Sequence, residues 1–94
     1  MLQVIVKLPD GTFSIKDKRR VMKSLKERIR NKFQVSAAEV DLNDSISFGQ
    51  LGMALVTNSR QHGNSVMRKI LLFLDDESVI ELHHSEILVE EFGN

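Results

Sequence analysis

Nine cations fall between Lys16 and Lys32, namely Lys16, Lys18, Arg19, Arg20, Lys23, Lys26, Arg28, Arg30 and Lys32, and only Asp17 and Glu27 oppose them in that stretch. Side chains three and four residues apart share one side of a helix. At about 100° per residue, Arg19, Lys23, Lys26 and Arg30 line one flank beside the apolar side, with Lys16 and Arg20 just beyond them. Arg28 and Lys32 fall on the opposite flank, and Lys18 points near the core. The six clustered cations make a ridge roughly 20 Å long at a rise of 1.5 Å per residue. Guanidinium and ammonium groups so spaced bind successive phosphates or carboxylates. Pairing of Glu27 with Lys23 or Arg30, and of Asp17 with Arg20, would offset only two of these charges. The competing reading is a solvated face whose long stems cover apolar surface.

The rest of the chain sharpens the contrast. Residues 1–32 hold ten cations against three acids, and residues 33–94 hold three cations against ten acids, so zero net charge hides a strongly polarised chain. Polarity of this kind attracts an anionic partner. Other chemistry has weaker support. His83 and His84, with Glu81 and Glu86 nearby, could ligate a metal, but adjacent strand residues point to opposite faces. His62 has no serine or cysteine neighbour to activate, and the absence of cysteine removes thiolate ligands, a thiol nucleophile and disulfides. Gly49 and Gly52 fit a tight hairpin and close packing; a phosphate-cradling loop would need a strand, a glycine run and a following helix. No catalytic constellation is visible, so the expectation is a protein that is not an enzyme and needs no metal or other cofactor.

Ninety-four residues suffice for one core, and the expectation is a single domain over 1–94. Leu2, Val4, Val6 and Leu8 alternate as a strand with one buried face, closed by a turn at Pro9-Asp10-Gly11. Ser14 and Asp17 resemble a capping box. Ile15, Met22, Leu25, Ile29 and Phe33 then form the apolar side of a helix over about 15–33. A second strand is predicted over about 36–43, with Val40 and Leu42 inward and Glu39 and Asp41 on the other face. Leu51 to Thr57, apolar on both sides, reads as a central strand. Asn58 or Ser59 caps a second helix over about 60–75, its buried side formed by Val66, Met67, Ile70, Phe73 and Leu74. In the last strand Ile80 and Leu82 differ in parity from Ile87 and Val89, which predicts a bulge near His83 to Ser85.

Strand, helix, strand, strand, helix, strand is the order of the ferredoxin-like α+β fold, a four-stranded antiparallel sheet with both helices on one face. Strands one and three are then central, and the basic helix lies at the opposite side from Glu81, Glu86, Glu90 and Glu91. An acylphosphatase of this fold would need an arginine in the loop after the first strand, and Pro9-Asp10-Gly11-Thr12-Phe13 has none. Neither Leu2–Leu8 nor Leu51–Thr57 contains an aromatic, so base stacking on the sheet is not expected. Ile5, with Ala54 and Val56 or Met53 and Leu55, would leave an apolar sheet face open to a homodimer or another protein.

The stretch from Ser14 to Leu25, Ser-Ile-Lys-Asp-Lys-Arg-Arg-Val-Met-Lys-Ser-Leu, resembles the signature of the YlxP-like family of small bacterial proteins. Phe33-Gln34-Val35-Ser36-Ala37-Ala38-Glu39-Val40, Leu51-Gly52-Met53-Ala54-Leu55-Val56-Thr57-Asn58 and the Glu86-Ile87 ending extend the likeness over nearly the whole chain. The resemblance implies a ferredoxin-like fold and a gene setting often near translation and ribosome-maturation factors, from which RNA or ribosome binding is inferred for the family. It supplies no catalytic residues. Where the family commonly shows a Trp-Gln-Arg run, this chain reads Ile46-Ser47-Phe48. The expectation is therefore a cytoplasmic RNA-binding or ribosome-associated accessory protein. Lys16, Arg19, Arg20, Lys23, Lys26 and Arg30 would contact the phosphates of structured RNA. Met1 to Lys7 has no basic segment followed by a long apolar run, and no apolar stretch nears 18 residues, so neither a signal peptide nor a membrane span is expected.

Overall fold

The computed structural model describes residues 1–9, 14–40 and 45–88. Its elements are β1 (Leu2–Lys7), α1 (Ile15–Phe33), β2 (Ser36–Glu39), β3 (Phe48–Ala54), α2 (Arg60–Asp75) and β4 (Glu81–Ile87). All neighbouring strands pair antiparallel, in the order β2-β3-β1-β4. This is the ferredoxin-like arrangement read from the element order, with β1 and β3 central. Helix α1 packs over β2 and β3, and α2 over β4. Among the described residues, no helix is long and apolar enough to cross a membrane.

The core lies between the helices and one face of the sheet. Leu2, Val4 and Val6 of β1, Leu51 and Met53 of β3, Met22, Leu25 and Ile29 of α1, and Ile70 and Leu74 of α2 are essentially inaccessible to solvent. Burying each such side chain contributes about 1.5–3 kcal/mol. Both helices start where the local signals place them. The Ser14 hydroxyl accepts from the Asp17 N–H at 3.2 Å, and the Ser59 hydroxyl accepts from the His62 N–H at 3.2 Å. Helix α1 ends at Gln34, whose left-handed backbone (φ 55°) lets its N–H reach the Arg30 carbonyl at 3.0 Å.

The strands differ from expectation in two places. Strand β2 stops at Glu39, and its parity is reversed: Val35 and Ala37 are buried, and Glu39 follows them inward, while Val40 takes the other face. The left-handed turn at Gln34 sends Val35 into the core, and alternation fixes the rest. Asp41 and Leu42 lie outside the described residues. Strand β3 begins and ends three residues earlier than predicted, because its span is set by β1, which pairs from Leu2 opposite Met53 to Lys7 opposite Phe48. Beyond Ala54 no partner continues, and Val56 is 98% exposed. Met53 accordingly belongs to the core, not to the open sheet face. In β4 the register shifts between Ile5 and Val6, leaving His83 as the extra residue, and Leu82 and Ile87 stand opposite Val6 and Leu2 on the core-facing side. The turn from Asp10 onward and Val89 lie outside the described residues.

Candidate nucleic-acid interface

Helix α1 turns Met22, Leu25 and Ile29 onto the sheet, which sets the direction of every cation on it. Lys18 falls inside that buried face. It is 1% exposed, and its Nζ lies 3.5 Å from Oε1 of Glu39 on β2. Arg28 and Lys32 face α2. Arg28 donates to Oε2 of Glu77 at 3.0 Å and overlies the Phe73 ring at 5.6 Å, and the Lys32 Nζ lies 5.1 Å from the same ring centre. Phe33 meets Phe73 edge-on at 5.8 Å.

The six ridge cations occupy the other flank. Arg30 donates to the carbonyl of Ala37, so the ridge overhangs the β2 edge of the sheet, away from α2. Lys16, Arg19, Arg20 and Lys23 are exposed, and Lys26 is partly so. Among the described residues, these five have no carboxylate within 4.0 Å, and Glu27 pairs with neither Lys23 nor Arg30. The ridge is therefore brought together as the helical spacing requires, with Arg30 alone committed to the protein's own backbone. A row of exposed guanidinium and ammonium groups of this kind presents donors only, and its natural ligands are closely spaced anions.

Apart from Asp17 and Glu27 on α1 itself, the described acids lie elsewhere. Glu81 stands opposite Lys7 and Glu86 opposite Gln3, both on the sheet face turned away from the helices. That face also carries two features missed in the sequence. Because β3 starts at Phe48, a central strand does bear an aromatic there, which corrects the expectation of an aromatic-free sheet. The bulge brings His83 within 5.1 Å of the Phe48 ring, while His84 stands opposite Ile5. The two imidazoles thus share one side instead of opposing each other. Phe48 is legible only through strand pairing; no local signal marks it as the start of β3.

Comparison with known proteins follows the same lines. Residues 1–87 match a family model described as "Protein of unknown function (DUF503)". A Bacillus subtilis (strain 168) protein described as "Uncharacterized protein YlxP" is 35% identical over 68 residues, which cover 72% of this chain and 74% of that relative.

Proposed function

The chain belongs to the DUF503 family, the YlxP-like family that its basic signature resembles, and from that premise we propose a non-enzymatic RNA-binding protein, cytoplasmic and associated with the ribosome or its RNA. The observation that carries this reading is the exposed ridge of Lys16, Arg19, Arg20, Lys23 and Lys26, among which no described carboxylate lies within 4.0 Å. Phosphates spaced along a nucleic-acid strand match a ridge roughly 20 Å long. Contacts of this type give affinity and orientation with little sequence selectivity, which favours structured RNA read by shape. Arg30 joins them at the end of the row, where its guanidinium already reaches over the β2 edge.

Binding of this kind is strongly salt-dependent. Four to six phosphate contacts on a duplex imply a slope of log affinity against log salt of roughly −3.5 to −5.5. Lys23→Glu with Lys26→Glu should abolish binding to a 16-base-pair RNA duplex while the circular dichroism spectrum and melting temperature stay close to those of the parent protein. Unchanged affinity in that double variant would overturn the reading. If the same protein also showed a mass rising with concentration, the function would move to the open sheet face, where Ile5 and Phe48 supply apolar contact for a second copy.

A further inference from the structure

We propose, resting on the RNA reading above, that α2 carries a second phosphate-binding surface for the same RNA, so that the solvent side of both helices, and not α1 alone, forms the footprint. After Lys32 the chain has three cations, Arg60, Arg68 and Lys69, and all of them fall within α2. Residues 60–74 contain no acid. With Met67, Ile70 and Leu74 buried against the sheet, Arg68 and Lys69 are left exposed on the outward side. There Arg60, Gln61, Asn64, Ser65, Arg68, Lys69 and the exposed Leu72 line a shallow open groove of about 700 Å³.

The polar part of that lining suits a sugar-phosphate backbone, with Leu72 adding an apolar contact. Ammonium and guanidinium groups hold phosphate oxygens. The amides of Gln61 and Asn64 and the hydroxyl of Ser65 both donate and accept, as a ribose 2′-hydroxyl requires. No aromatic among the described residues lines the groove, so it reads backbone and not bases. One side of the groove also lies toward α1. Lys69 lies one turn before Phe73, the ring that Arg28 and Lys32 of α1 overlie. The flank of α1 that faces α2, where Arg28 is paired with Glu77 and Lys32 overlies the ring, therefore adjoins the groove, while the six-residue ridge occupies the helix's other flank. An RNA laid on α1 alone would leave Arg68 and Lys69 on the neighbouring helix unused.

The test measures binding of the full chain to a 16-base-pair RNA duplex across a salt series. Arg68→Glu with Lys69→Glu should weaken binding at least about tenfold and reduce the magnitude of the salt slope by about 2, roughly 0.9 for each phosphate no longer held. Arg68→Gln with Lys69→Gln should give a smaller loss in the same direction, and it decides the matter if the charge-reversed protein does not fold. Parental affinity and slope in the α2 variants, with binding abolished by Lys23→Glu and Lys26→Glu, would confine the footprint to α1 and overturn this inference while the RNA reading stands. A parent protein that binds no duplex at all would overturn both.

Discussion

Among the described residues, Lys18 is the charged side chain that α1 buries, and its ammonium has left water for a position 3.5 Å from Glu39. Desolvating an amine costs several kcal/mol, which attraction to a nearby carboxylate offsets only when the pair is kept intact. Glu39, with 24% of its side chain exposed, retains part of its hydration and is the less costly member. Removing the carboxylate should therefore do more harm than removing the amine. Glu39→Ala is expected to destabilise the protein by about 2 to 3 kcal/mol, at or below the usual range for breaking a buried pair because Glu39 is not fully buried. Lys18→Met, which keeps the length of the stem and discards the charge, should cost less than about 1 kcal/mol, and in its background Glu39→Ala should lose most of its effect. Urea unfolding of the four proteins measures this, and equal losses from Glu39→Ala in both backgrounds would show that the pair is not coupled. The inward direction of Lys18 is legible from helical spacing alone. That of Glu39 is not, because the parity of β2 depends on how the chain leaves α1 at Gln34.

The same division between local and non-local signals runs through the elements. Helix α1 matches its predicted bounds because a hydroxyl cap, an acid in the first turn and one apolar side all lie within or beside its own residues. Strands β2 and β3 depart from their predicted spans because their ends are set by partners distant in sequence, β1 above all. Gly49 shows why the shifted register holds. In β3 it lies directly beneath α1, where an added Cβ would stand 2.5 Å from Cε and 2.6 Å from Sδ of Met22, itself 1% exposed. The Met22 side chain fills the space over Gly49 that a β-carbon would need. Gly49→Ala should destabilise by about 1–3 kcal/mol, the usual range for overpacking, and Met22→Val should recover part of that loss by shortening the opposing side chain. A thermal melt of the double variant no higher than that of Gly49→Ala would place the strain elsewhere. Gly63 differs, since its added Cβ would meet only Cγ2 of the exposed Thr57, at 3.2 Å. There Gly63→Ala should gain up to about 1 kcal/mol of helix propensity.

At the scale of the whole molecule, the opposed charges of the two halves of the chain become a difference between faces. The helical layer carries the ridge, Arg28, Lys32, Arg68 and Lys69 against Asp17, Glu27, Asp75, Asp76 and Glu77, and the open sheet face carries Glu81 and Glu86 against Lys7. Cations outnumber acids on the helical side and not on the sheet side, so a polyanion is drawn to the helices. The chain contains no cysteine, and single cysteines bearing a photo-crosslinker can report that orientation directly. Ser24→Cys lies on the exposed surface of α1, Ser65→Cys in the α2 groove, and Ala54→Cys on the open face of β3. Bound to a 16-base-pair RNA duplex and irradiated, the first two should crosslink to RNA and the third should not. Crosslinks at Ser24→Cys alone would agree with a footprint restricted to α1. Crosslinks at Ala54→Cys alone would invert the orientation, placing RNA on the open sheet face, where Lys7, opposite Glu81, is the one lysine or arginine among the described strand residues.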